Sequence, residues 1–176
     1  MGVRGSIAPE IGNLYSLASL DLSGNYLNGS IAPTIFNLTV VESINLYDNS
    51  LSGSLPRHIC RYNRLQRLKV LDLGSNELEG DIPLSLDQCS QLERISFGLN
   101  KLSGNVPREI VNITKLKVLD LSFNNLRGTS NLYAHNLSIS SYVISINPLS
   151  LPLLELLSIK GEFSLNLSNW LPQHNK

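Results

Sequence analysis

Three aspartates, Asp21, Asp72 and Asp120, stand between leucines at one recurring position of the sequence. Carboxylates brought together from different positions of a site can serve as general acid and base. These three are copies of one position in a repeated phrase, so we do not expect them to form a catalytic pair. An acidic side chain at such a position ordinarily faces solvent, and a contact with a ligand is the alternative.

The other residues with chemical potential form no recognisable catalytic motif. The sequence has no glycine-rich phosphate loop, no kinase catalytic-loop triplet, no serine elbow and no zinc-binding spacing. Its three histidines, His58, His135 and His174, are scattered and lack neighbouring ligands. We therefore expect no enzymatic activity, no cofactor and no bound metal.

Charge and hydropathy argue against two further kinds of partner. The 176 residues include 14 basic and 14 acidic side chains, which gives no electrostatic case for nucleic acid or an anionic membrane. The stretch from Leu137 to Ile159 is largely uncharged, which could suggest a membrane span. Pro148, Pro152 and Glu155 interrupt it, so it lacks a continuous apolar run of about 20 residues, and we expect no direct membrane contact.

A phrase that occurs five times organises the chain. In its first copy, leucines at 14, 17, 20, 22 and 27 surround Asn25, which follows the pattern L-x-x-L-x-L-x-x-N-x-L. The other copies contain Asn49, Asn76, Asn100 and Asn124. Successive asparagines are evenly spaced, except for a longer interval between the second and the third. Such a regular period is typical of a solenoid built from leucine-rich repeats.

The spacing within each phrase predicts a short strand followed by a turn. Leu20 and Leu22 point to the same side of a strand, and only a neighbouring repeat can bury that side. The asparagine amide that follows can bond backbone groups that the turn leaves unpaired, so we interpret all five asparagines as structural. The sequence thus predicts an α/β solenoid with a parallel β-sheet on its concave side and about five complete repeats.

A second phrase, of which Gly53-Ser54-Leu55-Pro56 is one copy, follows each of the first four asparagines. Glycine permits unusual backbone angles and proline restricts its own, so the return path turns tightly. Short helical or 3₁₀ turns are expected next, on the convex side, at Thr34–Asn37, Arg57–Arg64, Leu84–Ser90 and Arg108–Asn112. Three extra residues around Tyr62-Asn63-Arg64 explain the longer repeat.

Both ends of the chain depart from the repeat. Residues 1–13 begin in the second half of a repeat, because Gly5-Ser6-Ile7-Ala8-Pro9 matches Gly29-Ser30-Ile31-Ala32-Pro33, and they contain no signal peptide. We therefore expect a fragment of a longer protein, with a partial first repeat at 1–13 and the solenoid at 14–128. Residues 129–176 are a degenerate repeat, a cap or an irregular tail, since leucine spacing returns near Leu151 but Glu162 takes the asparagine position.

The sequence leaves the redox state of Cys60 and Cys89 open but favours the interpretation that they are unpaired. Cys89 occupies a leucine position, which favours a small buried hydrophobic side chain, whereas Cys60 lies on a return segment. A disulfide could form in a secreted protein, but the two residues occupy different repeat positions, which disfavours pairing.

Asparagines in the acceptor pattern Asn-x-Ser/Thr suggest glycosylation. Asn37 and Asn112 occupy the same repeat position at the end of a convex turn. One such pattern is weak evidence, but two at an equivalent exposed position favour a secreted protein. The predicted glycosylation sites are Asn28, Asn37, Asn112, Asn136 and Asn166.

The strand surface opposite to the leucines is where a solenoid usually binds, because its side chains stand in register over several repeats. Most outward positions carry small or polar residues, which is typical of a solvated face. Exposed aromatic, apolar and arginine side chains supply binding anchors, so the residues that stand out are candidate contacts. The predicted ligand-binding residues are Tyr47, Asp48, Asp72, Arg94, Leu99 and Phe123.

Residues 2–128, with their repeated L-x-G-x-I-P phrase, resemble the ectodomain of a plant leucine-rich-repeat receptor kinase. Ser54-Leu55-Pro56, Ile59-Cys60 and Cys89-Ser90-Gln91-Leu92 resemble, more narrowly, the flagellin- and elongation-factor-receptor-like subfamily. The resemblance implies a right-handed superhelix with a second short strand in each repeat. It also implies recognition of a peptide or protein ligand, in defence or developmental signalling, and pairing with a co-receptor kinase ectodomain.

The location that the resemblance implies is the extracellular face of the plasma membrane or the apoplast, as part of a longer protein with membrane and kinase parts. Two other functions are alternatives to the receptor module. A secreted inhibitor of a cell-wall-degrading enzyme, similar to the polygalacturonase-inhibiting proteins, would use the same concave face, but such inhibitors need cysteine-bounded caps. An intracellular scaffold is opposed by the glycosylation patterns.

Overall fold

Short parallel strands form two sheets that run along the solenoid. The computed structural model describes residues 2–61, 64–127, 141–145 and 162–163. In chain order its strands are β1 (Arg4–Gly5), β2 (Ser19–Asp21), β3 (Tyr26–Ser30), β4 (Ser43–Asn45), β5 (Ser50–Ser54), β6 (Val70–Asp72), β7 (Glu77–Asp81), β8 (Arg94–Ser96), β9 (Lys101–Ser103), β10 (Val118–Asp120), β11 (Ser141–Ser145) and β12 (Glu162–Phe163).

The inner sheet contains the strands that the leucine spacing predicts. Its neighbours run in the order β2-β4-β6-β8-β10-β11-β12, and each pairs in parallel with the next. Leu20, Ile44, Leu71, Ile95 and Leu119 are register partners along this order. The leucine positions therefore stack into one row, and the parallel concave sheet of a leucine-rich-repeat solenoid is confirmed.

The outer sheet contains the second strand of each repeat, in the order β1-β3-β5-β7-β9. These strands begin directly after the recurring asparagine, as β5 does after Asn49. Gly53 in β5 and Gly80 in β7 have φ of 77° and 79°. Only glycine adopts such angles without a steric cost, which explains why the return phrase repeats this residue.

Convex 3₁₀ helices close the repeats at Pro9–Asn13, Pro33–Asn37, Leu84–Gln88 and Arg108–Asn112. Three of the four predicted convex turns are therefore 3₁₀ helices, and Pro9–Asn13 is an additional one. The described part of the predicted Arg57–Arg64 turn contains a hydrogen-bonded turn at 57–60 instead of a 3₁₀ helix. Residues 62 and 63 lie outside the described residues.

The core is one elongated cluster of buried side chains between the sheets and the convex helices. It runs from Ile7 to Leu126, and Ile44, Leu71 and Ile95 have no solvent exposure (0% each). Each repeat contributes one layer, so each layer buries the leucines of the layers on either side. This stacking holds the outward-facing residues of successive strands in register.

Cys60 and Cys89 form a disulfide, so the interpretation that they are unpaired is wrong. The two cysteines lie in adjacent repeats, at different distances from the asparagines that precede them, Asn49 and Asn76. Their repeat positions differ, but the two convex segments stack side by side, and the Cα atoms are 5.4 Å apart. That separation is within the usual range for a disulfide.

The end of the chain continues the inner sheet in two places. β11 pairs with β10 and β12 pairs with β11, both in parallel. Most of 129–176, including the leucine spacing near Leu151, lies outside the described residues. The division into 1–13, 14–128 and 129–176 stays a prediction. Among the described segments, no helix has the length and apolar character needed to cross a membrane.

Candidate ligand-binding face

The recurring asparagine fixes the backbone at the end of each inner strand. The Asn76 amide nitrogen donates to the carbonyl oxygens of Leu73 (3.2 Å) and Gly74 (3.1 Å) and to that of Leu46 in the preceding repeat (3.0 Å). Its Oδ1 accepts from the Leu51 amide (3.0 Å). One side chain therefore satisfies backbone groups of two repeats, and it is almost fully buried, at 9% exposure.

The same contacts recur at the other interior asparagines. Asn49, Asn100 and Asn124 each donate to the preceding repeat, at 3.0, 3.0 and 2.9 Å. Asn25 bonds within its own repeat and accepts from the Val3 amide at 2.8 Å. The network holds the end of each strand in a fixed conformation, because buried backbone groups require partners.

The residue before each asparagine is consequently in the left-handed region. Asp48, Ser75, Leu99 and Phe123 have φ of 57°, 53°, 58° and 52°. Leu99 and Phe123 lack a local hydrogen-bonding side chain that would favour this conformation, and left-handed backbone costs a residue with a Cβ about 1–2 kcal/mol. The structure nevertheless exposes 49% of Leu99 and 53% of Phe123.

Leu99 and Phe123 lie at equivalent positions of adjacent repeats. The Leu99 amide donates to the Ser122 carbonyl (2.9 Å), and the Asn100 amide donates to that of Phe123 (3.2 Å). Two exposed apolar side chains therefore stand side by side on a rigid backbone. Stability alone does not explain them, since glycine would fit the turn without strain.

Tyr47 lies over a glycine of the next repeat. A Cβ atom on Gly74 would lie 3.2 Å from the Tyr47 ring, so the ring occupies the space that a side chain there would need. The Tyr47 amide donates to Asn45 Oδ1 (3.1 Å), and 44% of the residue is exposed. The exposed Asp48 follows it, its amide bonded to the Gly74 carbonyl (3.0 Å). The ring is thus a fixed aromatic surface on the concave face.

Asp72 is half-buried beside that ring, at the end of β6. Its Oδ1 accepts from the Gly74 amide at 3.1 Å. Burial raises the pKa of the Asp72 carboxyl, while the Gly74 hydrogen bond and the charge of Arg94 act in the opposite direction. The negative charge of Asp120 raises this pKa further. The charges of Arg94 on β8 and Asp120 on β10 therefore both act on the Asp72 carboxyl at the end of β6.

The aspartate position also has a structural role. Asp21 Oδ1 accepts from the Ser23 amide (3.0 Å), and Asp120 Oδ1 accepts from that of Ser122 (3.0 Å). One carboxylate oxygen of each aspartate thus closes the turn that follows the strand. The prediction of ligand contact at Asp72 stays open alongside this role.

Sequence reasoning placed Gly74 and Gly98 among the outward positions of the face but assigned them no role. A Cβ on Gly98 would lie 2.8 Å from an Asp120 carboxylate oxygen. Both glycines stand where other repeats carry Ser23, Tyr47 or Ser122. That interruption in an otherwise filled column is the signal that could have identified them.

Two ion pairs lie at the rim of the inner sheet. Lys69 pairs with Glu42 (2.7 Å), and Lys117 pairs with Glu93 (2.6 Å). Hydrogen bonds from these lysines hold the pKa values of Glu42 and Glu93 below their ordinary value. All four side chains are substantially exposed, so the pairs add little stability, and together they contribute no net charge.

The predicted glycosylation sites differ in their surroundings. Asn112 is exposed at the end of the 3₁₀ helix Arg108–Asn112, and Asn28 is exposed in β3. Asn37 is half-buried, and its Oδ1 accepts from the Arg64 guanidinium. Asn136 and Asn166 lie outside the described residues. No group of side chains that could hold a metal ion occurs in the part of the chain that the structure describes.

Comparisons with known proteins agree with this architecture. A leucine-rich-repeat family model matches residues 16–38, 41–62 and 115–158, about half of the chain, and a second such model matches 66–126. No curated protein sequence matches the chain.

Three solved plant receptor kinase structures, all from Arabidopsis, are similar to this chain. The ectodomain of the membrane receptor kinase GASSHO1/SCHENGEN3, in complex with CASPARIAN STRIP INTEGRITY FACTOR 2, has 28% identity and a TM-score of 0.76 over 93% of this chain and 20% of its own. The receptor kinase HAESA, in complex with the peptide hormone IDA and the co-receptor SERK1, has 28% identity and a TM-score of 0.72 over 94% and 29%.

The third is the ectodomain of the receptor kinase SOBIR1, with 34% identity and a TM-score of 0.66 over 74% of this chain and 72% of its own. This chain therefore spans less than a third of the two ligand-bound ectodomains and most of the third.

Proposed function

We propose, from the premise that this chain belongs to the leucine-rich-repeat family, that it is the ligand-recognition module of a plant receptor and acts outside the cell. The observation that carries the proposal is the exposed pair Leu99 and Phe123. Both residues accept a left-handed backbone and expose about half of their surface, which is unfavourable for folding alone. A ligand that covers them would explain their presence.

A peptide or protein is the ligand class that fits this face best. The anchors lie on an open sheet, and we propose no catalytic site among the described residues. GASSHO1/SCHENGEN3 and HAESA were solved with ligands bound, and the HAESA complex also contains a co-receptor. By analogy, the partners of this chain are a peptide or protein ligand and a co-receptor kinase ectodomain.

The dimensions of the face suit a short extended segment. Neighbouring strands lie about 4.8 Å apart, so the five strands β2 to β10 present a strip about 20 Å across. A peptide of about six residues at roughly 3.3 Å per residue would cross it. Such a peptide would reach Tyr47 on the second repeat, Arg94 on the fourth and Phe123 on the fifth.

Each anchor has a defined role in this proposal. The Arg94 guanidinium can bind a carboxylate through two parallel hydrogen bonds, while Tyr47 and Phe123 contribute rigid apolar area. Leu99 extends the apolar contact next to Phe123. Asp48 and Asp72 contribute polar contacts beside Tyr47.

Two features support the proposed location. The Cys60–Cys89 disulfide suits an oxidising compartment, and the exposed asparagines Asn28 and Asn112 are accessible for glycosylation. We assign the protein to the extracellular face of the plasma membrane or the apoplast, within a longer receptor. The flagellin- and elongation-factor-receptor-like subfamily and a defence role are proposed from the residues that resemble it.

Alanine substitutions of the anchors test the proposal. Peptides selected from a displayed six-residue library should bind Arg94→Ala and Phe123→Ala at least about fivefold more weakly than the parent, which corresponds to about 1 kcal/mol or more for each anchor. Glu77→Ala in β7 is the matched control, because Glu77 is exposed on the outer sheet. Unchanged binding by both anchor variants, with folding preserved, would exclude this face as the binding site.

A further inference from the structure

The concave face has a charge that the whole chain lacks. The chain carries 14 basic and 14 acidic residues. Among the outward positions of β2, β4, β6, β8 and β10 and the turns that follow them, the acidic residues are Asp21, Asp48, Asp72 and Asp120, and the basic residue is Arg94. The neighbouring ion pairs Lys69–Glu42 and Lys117–Glu93 add no net charge to this excess of negative charge on the outward positions.

Burial keeps the pKa of the Asp72 carboxyl above its ordinary value despite the nearby charge of Arg94. The charge of Arg94 lowers the pKa of Asp72, yet burial and the neighbouring Asp120 raise it, and the net direction is upward. An approaching cation stabilises a half-buried carboxylate more than a fully solvated one, because burial weakens the screening of charge by water.

Aromatic surface and negative charge converge at one point of the face. The Cβ position of Gly74 is 3.2 Å from the Tyr47 ring and 3.4 Å from Asp72 Oδ1. The absence of a side chain on Gly74 thus leaves space for the ring near the carboxylate, and 44% of Tyr47 stays exposed. A cation over an aromatic ring is attracted by the negative face of the ring, and a carboxylate at its edge adds a charge-assisted hydrogen bond.

We propose that the ligand of the concave face is a basic extended peptide, one of whose arginine or lysine side chains lies over Tyr47 and pairs with Asp72. The inference rests on the proposed function and specifies the chemistry of its ligand. Asp48 and Asp120 flank this position on the second and fifth repeats and favour further cationic residues. Arg94 repels cationic residues of the peptide that come close to it, and its guanidinium can bind a carboxylate of the same peptide.

An unbiased selection separates the two proposals. The full chain is immobilised and panned against a displayed library of random six-residue peptides at moderate salt. Enrichment of arginine and lysine supports the inference. Enrichment of neutral or acidic sequences overturns it but leaves the proposed function standing, whereas absence of any enrichment contradicts both.

Charge-matched variants then locate the contact. Asp72→Asn and Tyr47→Ala should each weaken an enriched basic peptide by about fivefold to tenfold, in line with the usual strength of cation–π and charge-assisted contacts. Glu77→Gln changes the net charge by the same amount as Asp72→Asn, but on the outer sheet, and should leave binding unchanged. Equal weakening by both charge variants would show that binding follows overall charge, and would overturn the assignment to Tyr47 and Asp72.

Discussion

The asparagine of each repeat and the residue directly before it are neighbours in sequence, and in every repeat the asparagine is the more buried of the two. Asn76 is buried at 9% exposure and bonds two repeats, whereas Leu99, which precedes the equivalent asparagine of the next repeat, is exposed at 49%. The buried position holds asparagine in all five phrases. The exposed position is occupied by Gly24, Asp48, Ser75, Leu99 and Phe123.

This difference shows where the repeat leaves room for function. The asparagine must supply donors and an acceptor to backbone groups at fixed positions, so no other common side chain serves equally well. The residue before it must only tolerate a left-handed backbone. Its side chain projects to the concave face without a structural partner, so its chemistry is free to suit a ligand.

The largest loss of stability should follow from a substitution on the buried side of a strand. Leu71→Ala should lower the free energy of unfolding by about 2–5 kcal/mol, because Leu71 is fully buried between two neighbouring layers. Val70→Ala, at the adjacent half-buried outward position, is the control and should cost clearly less. Chemical denaturation measures both, and equal losses would contradict the division between the two faces.

Removal of a recurring asparagine should cause the second-largest loss of stability. Asn76→Ala should cost about 1–3 kcal/mol, because it leaves buried backbone groups of two repeats unpaired. Asn25→Ala should cost less, because the Asn25 amide nitrogen donates within its own repeat. Thermal melts that rank the two variants in the opposite order would remove the bonds between repeats from their proposed role.

Substitution of the residue before the asparagine by glycine should change the free energy of unfolding only slightly, and the sign of the change should differ between repeats. Ser75→Gly should stabilise the protein by at most about 1 kcal/mol, since relief of left-handed strain is partly offset by the flexibility of unfolded glycine. Leu99→Gly should change stability by a similarly small amount while weakening peptide binding. A loss of several kcal/mol for Leu99→Gly would mean that this side chain is part of the core.

The smallest effect should appear in the pH dependence of stability. The pKa of Asp72 is raised in the folded state, so its contribution is present below the ordinary value of 3.8 and is lost as pH rises through the folded value. Asp72→Asn should therefore gain stability relative to the parent between acid and neutral pH. Glu93→Gln should show the opposite trend, because Lys117 lowers the pKa of Glu93. Denaturation at several pH values compares them.

Local spacing allowed much of the fold to be predicted. Leucines two residues apart indicate a one-sided strand, and their recurrence indicates stacking, whatever the details of packing. Side chains point alternately to the two sides of a strand, so the same spacing predicts which positions face outward, among them those of Tyr47, Arg94 and Phe123. Their role in binding stays a prediction.

The sequence by itself determined the repeat, its strands and the buried or exposed side of each residue, because these depend on periodicity along one chain. The tertiary structure decided which side chains meet between repeats. Cys60 and Cys89 pair because their convex turns stack side by side, and the Tyr47 ring and Asp72 Oδ1 lie 3.2 and 3.4 Å from the Cβ position of Gly74. Such contacts depend on side-chain direction and on the register between layers, which periodicity does not specify.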